Sequence, residues 1–213
     1  MRAKNWQDMK TPEPKLLYLD LPVVSWPIAT DKLFQESADW RHNAFLNLGG
    51  KSWESYASGY KQAADFLAQR FLENYQGMDT LIYPIVFLYR HYIELRLKQL
   101  IIAGQKLLEQ PINYKDIHDL VILWRPCREI LQKIWPEEPV ATWDNVEKLI
   151  KEFNQKDTEG MNFRYPITTK KKGRKPTLPA LDHVGIGNLY EVMQRLACFF
   201  ECHIEGLEFE DYP

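Results

Sequence analysis

The chain has 213 residues, of which 45% are hydrophobic and 26% charged, and its formal net charge at pH 7 is −2. These values are typical of a soluble globular protein with a buried core, and the length fits one domain or one domain with an appendage. The nearly balanced charge excludes a global attraction to nucleic acid or membrane, so any site for a polyanion has to be a local patch.

Three features of the sequence indicate the cellular compartment. The first residues, MRAKNWQDMKTPEPK, contain no apolar segment of the kind found in a signal peptide. No stretch approaches the roughly 18 apolar residues that a membrane-spanning helix needs. The three cysteines are an odd number and do not predict a secreted disulfide framework. We therefore expect a cytoplasmic protein without a membrane partner.

The N-terminal part differs in composition from the rest of the chain. Residues 1–30 are rich in proline and show no helical period, which predicts an extended arm. A first helix is predicted over 31–48, where the apolar pattern ends at two glycines. We accordingly expect residues 1–50 to form an arm and first helix, and residues 51–213 to form the helical part of one compact protein.

The apolar spacing in the remaining sequence predicts five further helices, and Thr142 is expected to cap the fourth. Their predicted ranges are about 53–75, 79–104, 116–135 (bent or split at Pro126), 143–157 and 182–206. Between the last two, β-branched and aromatic residues around a Lys-Gly-Arg turn predict a short β-hairpin or an extended loop. The predicted fold class is mainly α, a bundle of five or six helices.

The most hydrophobic predicted helix contains charged residues within FLYRHYIELRLKQLI. At about 100° per residue these side chains form one stripe on an otherwise apolar helix: Arg90, His91, Glu94 and Lys98. One interpretation is a solvated face with ion pairs one turn apart. The other is a cleft or dimer seam in which His91 transfers protons while Arg90, oriented by Glu94, binds an anion.

Other candidate residues lie in the second half of the chain. His118 is interpreted as a helix cap or as a hydrogen-bonded histidine that fixes its loop. Arg164 and Tyr165, within FRYP, are either a structural anchor or a pair that grips a phosphate and stacks on a base. Because Cys198 and Cys202 lack a second pair of ligands, we expect free cysteines and no metal site.

The segment KKKGRK places five cations on a predicted loop tip: Lys170, Lys171, Lys172, Arg174 and Lys175. Such a tip is either a mobile solvated turn or a patch that follows a nucleic-acid backbone. No glycine-rich phosphate loop, zinc-protease motif or nucleophile elbow is present in the sequence. No cofactor is therefore predicted.

Three short segments resemble HEPN-type (higher eukaryotes and prokaryotes nucleotide-binding) domains, in the same order and with similar spacing over about 80–205. YRHYIELRLKQLI is similar to the second helix of that family, DIHDLVILW to its His-x-Leu stretch, and FRYP to the Arg–Tyr–Pro before its last helix. The resemblance implies an antiparallel bundle, commonly a homodimer. Members of the family include ribonucleases of toxin–antitoxin and phage-defence systems, and modules that bind RNA or nucleotides without activity.

The nuclease members carry an arginine followed about four to six residues later by a histidine, and this spacing is absent here. Arg90 and His91 are adjacent in the sequence. If the chain is catalytic, the resemblance points to these two residues, joined by Arg164 and His183. Three hypotheses remain open: an RNA-directed protein, including a metal-independent endoribonuclease with an antitoxin or defence-system partner; a non-catalytic binding and dimerisation module; and a ligand-free helical scaffold.

Overall fold

The chain divides into two compact units, Met1–Leu48 and Gly49–Pro213. The computed structural model describes residues 26–46, 53–74, 79–113, 116–178 and 183–210. In the described part of the first unit, the only helical segment is a single 3₁₀ turn, Trp40–His42, which the Asp39 side chain caps by accepting a hydrogen bond from a backbone N–H.

The helix predicted over 31–48 is therefore wrong at the described positions, which form bends, turns and the 3₁₀ segment. The physical reason is that large apolar side chains of this segment stay exposed. Leu33 is 95% exposed and Phe34 is 99% exposed, whereas a short amphipathic helix gains most of its stability by burying its apolar face. Most of the arm predicted over 1–30 lies outside the described residues.

The second unit is a bundle of helices, which confirms the mainly helical class and the predicted number. Its described residues form five α-helices: α1 (Trp53–Glu73), α2 (Ile82–Leu107), α3 (Leu120–Ile134), α4 (Val140–Lys156) and α5 (Ile186–Glu210). A 3₁₀ turn, Asp79–Leu81, leads into α2. None of the described helices has the combination of length and apolar character that crossing a bilayer requires.

α2 is the central helix of the bundle and packs against α1, α3 and α5. Its core side chains include Ile85, Ile93 and Leu100, all fully buried. A helix that is apolar around most of its circumference has to be covered on several sides, which explains its position. The solvated-face interpretation of its charged stripe is wrong, since Arg90 and Glu94 are each 2% exposed and Lys98 is 6% exposed.

The residues that begin α3 and α4 differ from the prediction. α3 begins at Leu120 because the Asp119 carboxylate accepts hydrogen bonds from two N–H groups of its first turn. His118 is therefore not the cap. α4 begins at Val140 directly after Pro139, so Thr142 lies inside the first turn, where its N–H donates to the Pro139 carbonyl. Pro126 lies within α3, which continues as one helix from end to end.

The predicted β-hairpin is not formed, and the described residues contain no β-strand. A single antiparallel bridge joins Ile167 to Pro176, and the Thr168 N–H donates to the Lys175 carbonyl at 2.7 Å. Pro166 and Pro176 lack N–H donors, so a longer ladder of backbone hydrogen bonds cannot form around the turn. The result is a closed loop between α4 and α5.

α2 and α3 pack closely at Gly104. A Cβ atom at this position would overlap the Ile130 side chain. We expect Gly104→Ala to lower the free energy of unfolding by about 1–3 kcal/mol, because the two helices would have to separate or repack. The matched control is Gly59→Ala in α1, where a Cβ would meet no atom within 4 Å.

Alanine at position 59 should leave stability unchanged or raise it by about 0.5–1 kcal/mol, since alanine is the better helix former. Urea unfolding followed by circular dichroism measures both variants. Equal stability of the two variants would contradict the close packing at Gly104.

Candidate functional site

The buried part of the α2 stripe forms a network of ion pairs and hydrogen bonds centred on Glu94. One carboxylate oxygen, Oε2, lies 3.2 Å from Nη1 of Arg90. The other, Oε1, lies 3.0 Å from Nζ of Lys98 and 3.0 Å from Nδ1 of His118. Burial opposes ionisation of Glu94, but Lys98 and His118 outweigh it, so the pKa of this carboxyl group is lowered. Glu94 is therefore a buried carboxylate with three cationic or hydrogen-bonding partners.

Arg90 is fully engaged with the protein on both sides of the network. Its Nε donates to the Asp157 carbonyl at 2.7 Å, and its Nη2 donates to the carbonyls of Thr158, at 3.0 Å, and of His118. The adjoining Gly160 has φ 71°, and a Cβ there would lie 2.9 Å from Nη1 of Arg90. The guanidinium thus ties α2 to the start of α3 and to the loop after α4, and its position requires glycine at 160.

His118 is the solvent-facing member of this network. Its side chain is 62% exposed, yet Arg90 holds its backbone carbonyl and Glu94 holds its Nδ1. The interpretation of His118 as a hydrogen-bonded histidine is confirmed. A carboxylate bonded to Nδ1 fixes the ring orientation and the tautomer, and leaves Nε2 to exchange a proton with a substrate. This arrangement is suited to general acid–base chemistry.

His91 lies half-buried on α2 near the same network. Its ring packs edge-on against Tyr60, with centroids 4.4 Å apart, and is stacked on Phe87 at 6.0 Å. Burial lowers its pKa, and the positive charges of the network add to this effect against the opposing charge of Glu94. The neutral imidazole is therefore favoured, and it is a form that can accept a proton.

A second group of side chains surrounds Phe87. The guanidinium carbon of Arg164 lies 5.3 Å from the centre of the Phe87 ring and 5.4 Å from that of Tyr165. These are cation–π distances. Since His91 also contacts Phe87, a continuous row of aromatic and basic groups runs from His91 to Tyr165, and the Tyr165 end is 47% exposed. We refer to Phe87, Arg164 and Tyr165 as the aromatic platform.

The basic loop, residues 170–175, follows the aromatic platform in the sequence. Its described side chains are exposed: Lys171, Lys172, Arg174 and Lys175. Lys172 forms an ion pair with Glu159, while left-handed backbone at Gly173 and Arg174 makes the turn. The side chain of Lys170 lies outside the described part of the structure.

Lys98 differs from these loop lysines because it is buried. Its ammonium group lies 3.7 Å from Asp116 and also contacts Glu94.

His183 lies elsewhere, in a groove of about 550 Å³ bordered by apolar residues of α2 and α5 such as Ile82, Val86 and Met193.

Of the predicted site residues, the structure brings Arg90, Glu94 and Lys98 together. It adds His118, which the sequence did not single out as a site residue. His118 and Glu94 are 24 positions apart, so residue spacing cannot reveal their pairing. The only sequence signal was the position of His118 in the segment DIHDLVILW.

The buried network depends on the arginine at position 90. We expect Arg90→Lys to lower the free energy of unfolding by about 3–5 kcal/mol, because one ammonium cannot satisfy Glu94 and three carbonyls in the same geometry. The matched control is Arg70→Lys on the surface of α1, where the ion pair with Glu73 is largely exposed. That change should stay within about 0.5 kcal/mol. Urea unfolding measures both, and an unaltered midpoint for Arg90→Lys would show that the network is not needed.

Comparison with known proteins leaves the chain without an assigned relative. No family model, no curated protein and no solved structure matches it. The resemblance to HEPN-type domains therefore stays a prediction, and the functional argument depends on the geometry of the network and of the aromatic platform.

Proposed function

We propose that the chain is a HEPN-like, RNA-directed protein that cleaves RNA without a metal ion, as a toxin or phage-defence effector would. One observation carries this proposal. His118 is exposed, but both its backbone carbonyl and its Nδ1 are fixed by buried charged residues, Arg90 and Glu94. Burying charges is costly unless they are well paired. A histidine held at the surface in this way is a good candidate for proton transfer.

Cleavage of an RNA phosphodiester is a reaction that two histidines can catalyse. In this mechanism neutral His91 removes the proton from a 2′-hydroxyl, whose oxygen then attacks the adjacent phosphorus. His118, whose Nδ1 is bonded to Glu94, gives a proton to the departing 5′-oxygen. The products are a 2′,3′-cyclic phosphate and a 5′-hydroxyl, with no net change in protons. Arg90 acts as a positioning residue, since its donors are directed at protein acceptors.

The aromatic platform and the basic loop supply binding rather than chemistry. The exposed ring of Tyr165 can stack on an unpaired base, and Arg164 beside it can contact a phosphate. The cations of the basic loop can follow the backbone beyond that point. A chain with net charge −2 needs such a local concentration of positive charge to attract RNA.

A second candidate function is that of a non-catalytic module that binds RNA or a nucleotide. It is favoured by the engagement of all three guanidinium nitrogens of Arg90 with protein acceptors, because this guanidinium is then not free to stabilise charge on a phosphoryl oxygen. The resemblance adds further proposals for either function. These are an antiparallel arrangement of the bundle, a homodimer, a cytoplasmic location, and an antitoxin or defence-system protein as partner.

Expression in a bacterial host tests the catalytic proposal. The wild type should arrest growth and fragment RNA, and the purified chain should leave 2′,3′-cyclic phosphate ends in the presence of EDTA. We expect His118→Ala to reduce cleavage by about 10²–10⁴-fold, the usual contribution of a general acid or base. His42→Ala, in the first unit, is the matched histidine control and should cleave at the wild-type rate. Full cleavage by His118→Ala, or intact RNA and normal growth with the wild type, would refute this proposal.

Binding is tested separately with a fluorescent single-stranded RNA. Tyr165→Ala should weaken binding by about 1–3 kcal/mol with an unchanged salt dependence, because stacking on a base does not release counterions. Lys175→Ala should instead reduce the slope of log K against log salt by about 0.7. Tyr56→Ala, an exposed tyrosine of α1, is the control for the loss of a ring. If the wild type binds RNA but does not cleave it, the non-catalytic function is the correct one.

A further inference from the structure

The exposed face of α5 carries two cysteines one helical turn apart. Cys198 and Cys202 are both exposed free thiols, and their sulfur atoms lie 4.0 Å apart. In a tetrahedral zinc site with Zn–S bonds of about 2.3 Å, two thiolate sulfurs are separated by about 3.8 Å. The helix thus holds the two sulfurs close to the separation that a shared zinc ion requires.

The described residues of one chain supply only part of such a site. Across the described residues, no cluster of three or more histidine, cysteine or carboxylate side chains is arranged to hold a metal. The nearby His203 directs Nδ1 at the Phe199 carbonyl, 2.7 Å away, and its ring packs against Trp135 and Trp143. Because structural zinc takes four ligands, two more have to come from outside the described residues of one chain.

The residues around the cysteines fit a second copy of the same helix. An exposed row extends along this face within an arc of about 80°: Glu191, Arg195, Cys198, Cys202 and Glu205. Suppose that two α5 helices pack antiparallel, with the two-fold axis at position 200. Cys198 of one copy then lies level with Cys202 of the other. The same symmetry sets Arg195 of each copy beside Glu205 of the other, which pairs opposite charges twice.

We propose that two copies of the chain bind one zinc ion between their α5 helices, through Cys198 and Cys202 of each copy. Four thiols lose their protons to the solvent on binding, and a Zn²⁺ ion with four thiolates carries a net charge of −2. The two Arg195 guanidinium groups flank the site, each beside a Glu205 of the other copy. Arg195 at present pairs with Glu191 at 3.3 Å, and both side chains are largely exposed, so exchanging that partner costs little. This site is independent of the RNA-directed function, because it involves neither His118 nor the aromatic platform.

The test uses the reduced, metal-free full chain. Adding Zn²⁺ should bind one ion per two chains, measured by elemental analysis after gel filtration, and should double the mass measured by light scattering. Co²⁺ should give the visible absorption of a tetrahedral tetrathiolate site. The variant Cys198→Ser/Cys202→Ser should lose the metal and the mass doubling, while its circular dichroism spectrum stays that of the wild type.

Charge reversal tests the orientation of the two helices. Arg195→Glu should weaken the zinc-dependent dimer by about tenfold, which corresponds to about 1.4 kcal/mol over two surface pairs. Arg195→Glu/Glu205→Arg should restore it, because the opposite charges meet again with their signs exchanged. One zinc ion per chain without a change of mass, unchanged zinc binding by the double serine variant, or only an intrachain disulfide would each overturn the proposal.

Discussion

The buried pair of Arg90 and Glu94 is the interaction on which the second unit depends. The two side chains lie one turn apart on the central helix, and each is almost completely removed from water. An isolated charge in such a position would be prohibitively costly, so each has to satisfy its remaining hydrogen-bonding groups within the protein. Arg90 does so with the backbone before α3 and after α4, and Glu94 does so with Lys98 and His118. The charges thereby determine where two loops attach to α2.

Because Arg90 and Glu94 need partners from distant segments, only part of this structure could be predicted from the sequence. The five helices of the second unit were predictable because each carries its own apolar period, and the stripe on α2 followed from the same geometry. Its burial was not predictable, because the groups that cover Arg90 come from Asp157 and Thr158, more than 60 positions away. The helix predicted over 31–48 failed for the opposite reason. Its local pattern was suitable, but its large apolar side chains stay exposed.

The candidate site was likewise predictable only in part. Sequence spacing identified Glu94 as the residue that would orient a catalytic group, and assigned that role toward Arg90. In the structure Glu94 also bonds to His118, a residue that the sequence analysis interpreted as a helix cap or as a hydrogen-bonded histidine without a catalytic role. Helical periodicity relates residues of one helix, whereas a site assembled from α2 and the segment before α3 requires the tertiary fold. Arg164 and Tyr165 were identified from the sequence, but their contact with Phe87 could not be.

The two arginines near the site have different physical roles, and this difference bears on the choice between catalysis and binding. Arg90 has acceptors for its Nε and for both terminal nitrogens, so recruiting it to a phosphate would break the bonds that hold His118. Arg164 is exposed and held mainly by two aromatic rings, which leave the edges of the guanidinium for a ligand. His118 is thus a fixed histidine, whereas Arg164 is an adaptable arginine. Metal-free cleavage requires that both reach the same phosphate, whereas a binding module requires only the arginine and its aromatic neighbours.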